Sequence, residues 1–336
     1  MGPRGDAVRL VDVAERAGVT ASTASRALSR PEMVRPETRA RVEVAARELG
    51  YVPNRLARGL ITGRSSTIVM VLPDVTSAIF ALLARAAQAE ARARGFDVLV
   101  ADALWDDDRE VALVDRAKSY AEGLIVCMPS VDHVVDADGP PIVAINRRMR
   151  GAHAVIVDQS TIVETQLDHL LGLGHRRILY LSGPKKYWAA HERRRHAEGL
   201  ARHHDLEISG PIDPTFEAGV ELGDHLDPEV TAVIAFTDGQ AAGLIARLAQ
   251  RGIRVPDDVS VIGSNDVPMA RMLNPALTTM RAPLDAVGRA AVSLLLDHIH
   301  GEGGPAITET MSPELVVRRS TAPPPSAWVG STGTRR

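Results

Sequence analysis

With a single cysteine, Cys127, in 336 residues, the chain can form no intrachain disulfide and carries none of the paired-cysteine motifs of zinc or redox sites. That usage fits a reducing compartment. No stretch comes near the roughly 18 uncharged apolar residues of a membrane-spanning helix. The opening MGPRGDAVRLVDVAERAGV has no apolar run of signal-peptide length. The expectation is a cytoplasmic protein, neither exported nor membrane-spanning. The signatures GxSxG, HExxH and GxxxxGK[ST] are also missing. Lysine is absent from the first 64 residues, whose positive charge is all arginine.

What remains is an ordinary globular composition, 45% hydrophobic and 24% charged, which argues against disorder or a fibrous repeat. At roughly 100–200 residues per domain the length predicts two or three domains. The net charge of −3 hides an asymmetry: residues 1–64 carry twelve arginines and seven acids, a balance of +5, against −8 for the rest. A small basic head on a larger acidic body fits a head that meets a polyanion, although a solvated Arg-rich helix gives the same count.

The head reads as three helices. Val13, Ala14, Ala17, Val19, Ala24 and Leu28 recur at helical spacing, Gly18 interrupts them as a C-terminal break, and Thr20 is placed to cap the next helix. Helix, tight turn and helix result. A third helix starts from Pro36, with Val42, Ala45, Ala46 and Leu49 as its core stripe and Gly50 as its stop. In the second helix the small and hydroxyl residues Ala21, Ser22, Thr23 and Ser25, with Arg26, form the kind of face a major groove admits. The same pattern also suits a helical hairpin with a polar face.

Beyond Gly63 the texture is α/β. Apolar, β-branched runs begin at Thr67, Asp97, Gly123, Pro141, Ala154, Arg177, Ala232 and Val259, as expected of doubly buried parallel strands. Amphipathic stretches such as 79–94, 162–173, 240–251 and 285–300 lie between them. This alternation predicts βαβ units, and the strand count predicts two sheets. The tail from Ala322, APPPSAWVGSTGTRR, has too little apolar surface to fold and is expected to be disordered.

Other candidate chemistry is thin. GLGHRRI from Gly172 matches half of a dinucleotide fingerprint but precedes a strand where the fingerprint must come after one. His191 with His196, and His203 with His204, lack metal-ligand spacing and read as solvated. Asp106 to Asp108 read as a polar loop. No cofactor or metal is implied.

LVDVAERAGVTASTASRALS, continued by TRARVEVAARELGYVPNRLARGL, resembles the DNA-binding headpiece and hinge of the LacI/GalR family of bacterial repressors. The resemblance continues in order through STIVMVLPDVTSAIFALLARAAQ, GLIVCMPS, HLLGLGHRRILYLSGP, RGIRVPDDVSVIGSND, NPALTTMRAPLDAVGRAA and ELVVRRST, covering about Leu10 to Thr321. It implies that Ala21, Ser22 and Arg26 read bases and that Thr20, Thr23 and Ser25 touch phosphates. The segment PNRLARGL, with Asn54, Arg55 and Ala57, matches a hinge helix whose leucine, here Leu60, wedges into a minor-groove step. The alternative reading of Leu60 is a linker leucine packed on the body. Gly59 within so short a helix costs about 1 kcal/mol relative to alanine, so the free hinge is expected to be unfolded.

There are departures from the family pattern. Arg9 and Arg35 stand where capping Ser or Thr is usual, which could shift helix starts without changing the fold. In the effector cleft implied by the resemblance, Asn146 and Asn265 replace the usual carboxylates. Thr237 replaces an Asn and Ala282 a Gln, while Arg193 keeps the cleft arginine. Asp74, Ser77 and Ile79 form the ligand-facing loop, and Trp188 either stacks on a ring or packs as a lid. Losing two carboxylates while keeping an arginine suits a polyol less and an anionic or less hydroxylated ligand more.

The resemblance thus implies a helix-turn-helix headpiece (8–53), a hinge helix (54–64) and a periplasmic-binding-protein-like core of two doubly wound parallel-sheet subdomains. Residues 65–157 and 284–310 form one subdomain, and 158–283 and 311–321 the other, leaving a tail at 322–336. The implied function is a homodimeric, effector-controlled repressor on pseudo-palindromic double-stranded operator DNA, released by an inducer or requiring a corepressor. A transport solute-binding protein would need an export signal and no headpiece. An enzyme would need a reactive constellation in the cleft.

Overall fold

The computed structural model describes residues 8–29, 33–51, 65–133 and 139–325. The chain divides between Ser65 and Ser66 into two compact units.

The first unit has helices α1 (Leu10–Ala17), α2 (Ala21–Ser29) and α3 (Pro36–Glu48). Gly18 ends α1 in the left-handed region, φ 64°, where the lack of a Cβ removes the steric penalty. Thr20 caps α2, its Oγ1 accepting from the Thr23 amide at 3.3 Å. Neither Arg9 nor Arg35 caps with its side chain, yet the helices start directly after them. Asp12 accepts from the Arg9 amide at 2.7 Å, and Pro36 needs no amide partner in the first turn. The three helices close on Val13, Ala14, Ala17, Ala24, Ala27, Val42, Ala45 and Ala46, a core of small side chains only.

The second unit contains two six-stranded sheets. In chain order its elements are β1 (Thr67–Leu72), α4 (Ala78–Ala93), β2 (Asp97–Asp102), α5 (Asp107–Lys118), β3 (Gly123–Cys127), β4 (Ile142–Ile145), β5 (His153–Val157) and α6 (Gln159–Gly172). Next come β6 (Ile178–Leu181), α7 (Trp188–Leu200), β7 (Leu206–Ser209), α8 (Phe216–His225), β8 (Ala232–Ile234), α9 (Asp238–Gln250) and β9 (Ser260–Asn265). The last are β10 (Thr278–Arg281), α10 (Leu284–Ile299), β11 (Thr308–Met311) and β12 (Glu314–Val316). One sheet runs β11-β5-β4-β3-β1-β2 and the other β12-β10-β9-β8-β6-β7. All pairings are parallel except β12 on β10. The chain crosses between the sheets after β5, after β10 and after β11.

Central strands such as β3 and β4 are buried along their whole length, because helices cover both faces of each sheet. Two glycine sites bring neighbouring elements close. Gly288 lets α10 approach α4, where a Cβ would stand 2.8 Å from that of Ala86. Gly219 and Gly243 let α8 and α9 cross backbone to backbone: a Cβ on either would overlap a carbonyl oxygen of the other helix, Gln240 O or Phe216 O. This second crossing positions the start of α8.

Two expectations need correction. Asp106 to Asp108 do not form a loop: Asp106 caps α5 through the Arg109 amide at 2.7 Å, and the next two residues are its first turn. The fold also does not end at Ala322, whose amide donates to Ser260 Oγ and whose carbonyl accepts from the same hydroxyl, with His175 Nε2 2.8 Å away. The rest of the expected tail, 326–336, and the hinge residues Asn54, Arg55, Ala57 and Leu60 lie outside the described residues.

Candidate functional site

Both candidate sites result from where the elements end. In the head, Ala24 and Ala27 turn inward from α2, so Thr20, Ala21, Ser22 and Arg26 stand exposed and Thr23 and Ser25 half-buried. Thr20 Oγ1 lies 3.0 Å from Ser22 Oγ and 2.9 Å from Thr23 Oγ1. Arg26 donates through Nε to its own helix at Ser22 O, 3.2 Å. The result is a hydroxyl ridge beside one cation that has no carboxylate partner among the described residues.

In the core, the candidates lie in the loops and helices that leave the carboxyl ends of strands, where ligands of doubly wound folds bind. A cavity of about 770 Å³ opens there, within the range of small-molecule sites. Asp74, Ser77, Ile79, Asn146, Arg193, Thr237 and Asn265 all line it, gathered from positions more than a hundred residues apart. Trp188 and Ala282 do not. Trp188 opens α7 with its ring under the Arg148 guanidinium, 5.9 Å from the centroid, and Ala282 packs against the core beneath the first sheet.

The backbone is strained around this cavity. Of the seven described non-glycine residues with positive φ, four line the cavity: Trp105, Met128, Asn146 and Asn265. Such strain persists only where the surroundings impose it, and it gathers at functional sites. Asn is among the residues that best tolerate the left-handed region, which gives Asn146, at φ 55°, a backbone reason beside any chemical one.

Arg193 is buried to 6% exposure on α7. Its Nε donates to Gln159 Oε1 at 2.7 Å, its Nη1 to Phe236 O at 2.9 Å, and its guanidinium lies 4.6 Å from the centre of the Phe236 ring. Asp158 caps α6 and so fixes Gln159, whose Nε2 donates to Val157 O. Burial lowers the Arg193 pKa, opposed by Tyr180 and Asp238. No carboxylate of the described residues pairs with it, so the cavity wall holds a desolvated positive charge.

Other polar groups are already committed. Thr237 Oγ1 accepts from the Gln240 amide and donates to Pro214 O. The buried Asp238 carboxyl accepts from Thr279 Oγ1 at 2.6 Å and from the Val267 amide at 2.9 Å; burial nonetheless pushes its pKa up to about 7. Asn146 Oδ1 accepts from the Val157 amide at 2.9 Å, which leaves its Nδ2 hydrogens available. The Asn265 amide makes no side-chain bond among the described residues.

The aromatic walls were not foreseen. Phe80, Trp105, Tyr187, Phe216 and Phe236 line the cavity, although the whole chain has only four phenylalanines, four tyrosines and three tryptophans. Gly183 makes room for one of them, since a Cβ there would stand 2.6 Å from the Phe236 ring. Trp105 meets Tyr187 edge-on at 5.2 Å and Phe80 at 6.0 Å. Lys186 reaches across from the second subdomain to donate to Trp105 O and Asp107 Oδ1, both at 2.8 Å. The bond to Lys186 lowers the Asp107 pKa. Burial works to lower the pKa of Lys186, but the hydrogen bonds and charges of Asp107 and Tyr187 together outweigh it and the net shift is upward. Scarcity was the available signal: few aromatics, several of them beside strand ends.

Among the described residues no cluster of His, Cys, Asp or Glu could hold a metal ion, and no helix is long and apolar enough to cross a membrane. A helix-turn-helix head with a groove-compatible face, joined to two cleft-forming α/β subdomains, defines a DNA-binding regulator with a ligand-binding core. Residues 9–54 match the model of bacterial regulatory proteins of the lacI family, and residues 167–321 that of periplasmic binding protein-like domains. The chain is 30% identical to the HTH-type transcriptional repressor CytR of Escherichia coli K12 over 329 residues, covering 94% of this chain and 96% of the relative. It is 33% identical to the HTH-type transcriptional regulator GalS of Salmonella typhimurium, covering 94% and 97%. A lac repressor dimer bound to operator and the anti-inducer ONPF superposes with a TM-score of 0.82 at 25% identity, covering 94% of this chain and 99% of that one. The chain belongs to the lacI family of bacterial regulatory proteins.

Proposed function

We propose that this chain is a cytoplasmic, homodimeric repressor without a chemical step, whose hold on a pseudo-palindromic operator is set by a small molecule in the core cleft. Ala21, Ser22 and Arg26 read bases; Thr20, Thr23 and Ser25 grip phosphates. Asn54, Arg55, Ala57 and Leu60 of the hinge at 54–64 track the minor groove. Asp74, Ser77, Ile79, Asn146, Arg193, Thr237 and Asn265 face the effector, with Trp188 and Ala282 outside its immediate walls. The subdomains divide as 65–157 with 284–310 and 158–283 with 311–321. The observation that carries the reading is the conjunction of an exposed hydroxyl-and-arginine face on α2 with a cavity between two subdomains that the chain crosses three times. The relatives support it: one solved relative is a dimer on operator, and another, CelR, is a complex with cellobiose at 27% identity and a TM-score of 0.65.

The test is selection of binding sites from random duplexes with the full-length protein and with Arg26→Ala. The wild type should select two half-sites related by two-fold symmetry. The variant should lose one base preference per half-site and roughly 1–3 kcal/mol of affinity. A selected motif without symmetry, or an unchanged motif for Arg26→Ala, refutes the reading.

A further inference from the structure

Three observations about the cavity converge. First, it gathers five aromatic rings in a chain that has few. Phe80, Tyr187 and Phe236 are nearly fully buried, Trp105 is partly buried and Phe216 is exposed at the rim. Packing walls of this kind recognise the flat faces of a ring. Second, most of the hydrogen-bonding capacity left free in its interior belongs to donors. Among the described residues, Arg193 has Nη2 unpartnered, Asn146 has both Nδ2 hydrogens unspent, and Asn265 offers a whole amide. The acceptors that hydroxyl groups would need, Thr237 and Asp238, are already engaged. Third, no carboxylate among those residues touches the buried guanidinium, and the charge of Asp238 compensates it only weakly because burial pushes the pKa of that carboxyl up to about 7; an under-compensated desolvated charge is costly.

We propose that the cleft binds an aromatic carboxylate: a planar ring between the aromatic walls, with its carboxylate accepting from Arg193 and the Asn146 amide. This rests on the reading of the cleft as the effector site and narrows it to a ligand class. A polyol could accept from these donors but would find few free acceptors for its many hydroxyl hydrogens. A phosphate would bring up to two negative charges to a single buried cation, since Lys186 is already paired with Asp107. An aliphatic acid would leave the rings unused. One negative charge on one flat ring matches the inventory. Of the carboxyl groups lining the cavity, Asp213 is exposed to screening solvent, Asp74 Oδ1 is held by the amide and hydroxyl of Thr76, and burial favours the neutral form of Asp238.

The experiment uses full-length protein carrying Trp188→Phe and Trp328→Phe, so that the remaining tryptophan, Trp105, reports from the cavity wall. Fluorescence and calorimetric titrations are run with benzoate, 4-hydroxybenzoate, phenylacetate, cinnamate and indole-3-acetate, and with the primary amide of each. D-Ribose, D-glucose, ribose 5-phosphate and uridine represent other classes. At least one carboxylate should quench Trp105 and bind at least tenfold more tightly than its amide. Asn146→Asp keeps an acceptor for the Val157 amide but sets a like charge beside the ligand; it should weaken that carboxylate at least tenfold and leave the amide within about twofold. Failure of every carboxylate, tighter binding by any sugar, sugar phosphate or nucleoside, or equal effects of Asn146→Asp on acid and amide would each overturn the proposal. The two readings fail differently. Ribose or uridine that binds and releases DNA keeps the effector reading and ends this one. A carboxylate that quenches Trp105 without altering DNA affinity keeps this one and ends effector control.

Discussion

The head and the core are built in opposite senses. Among the described residues the head fully buries only alanines and valines, with Leu10, Leu49 and Tyr51 partly buried against them, and it carries its functional groups on the outside of one helix. The core buries leucines, isoleucines and phenylalanines on both faces of two sheets, then turns its functional groups inward to a hollow between them. A small unit has little apolar area to spare, so its working face must be made of short polar side chains that cost no core. A large unit can support a cavity, backbone strain and an unpaired buried cation. Stability is thus scarce in the head and stored in the core, and substitutions can test that division.

The largest effect should come from Gly243→Ala. The added methyl has no room, because Phe216 O and the Val220 amide already occupy its place across the α8–α9 crossing. Overpacking of this kind costs about 3 kcal/mol or more when the obstacle is backbone. Denaturant unfolding tracked by tryptophan emission reads the core alone, since all three tryptophans lie beyond residue 104. An unchanged midpoint would mean that the two helices slide freely, against the rigid-core picture.

Val42→Ala should come next, at about 2 kcal/mol for two buried methyl groups plus the space they leave. In the core such a loss would be tolerated. In the head it should unfold the unit, so that DNA binding disappears while the tryptophan-detected transition stays in place. Retention of full DNA affinity would show a head with more reserve than its small core suggests.

The effect that is smallest over any one pH unit is a slope. The Asp238 pKa is raised to about 7 from an ordinary 3.8, so between these values the fold keeps a proton that the unfolded chain has lost. Its contribution therefore declines as pH rises through that window, by at most about 1.4 kcal/mol per pH unit. Asp238→Asn cannot ionise and should flatten thermal stability against pH between 4 and 7, whatever constant offset the lost acceptor adds. Parallel curves for the two proteins would place the proton elsewhere.

Much of this was legible in the chain. Gly18 and Thr20 mark the turn between α1 and α2, and the doubly buried strands announce themselves as apolar runs. β7, β11 and β12 do not: their sequences LEIS, TETM and ELV lie at sheet edges, are only three or four residues long and hold at most two apolar residues each. Seven cleft residues could be named because the resemblance to the lacI family carries over onto their positions; their gathering into one cavity required the fold. Trp188 could not be told from Tyr187, because the chain turns from extended to helical between them and their rings diverge. The aromatic walls required three dimensions, since Phe80 and Phe236, on elements from opposite halves of the core sequence, share one surface.

The clasp of Lys186 on Trp105 and Asp107 has a bearing on timing. It joins the two subdomains by a half-exposed ion pair, a class of bond worth only about 0.2–1 kcal/mol, backed by ring edges. A fastening of that strength shifts the balance between parted and closed poses by no more than about fivefold. A ligand admitted only to the parted pose binds with an apparent affinity scaled by that pose's share of the population, and leaves no faster than the clasp lets go. The residence time of the bound molecule, and with it the persistence of the regulatory state after supply of the ligand ends, is then set in part by two side chains that never touch the ligand's charge.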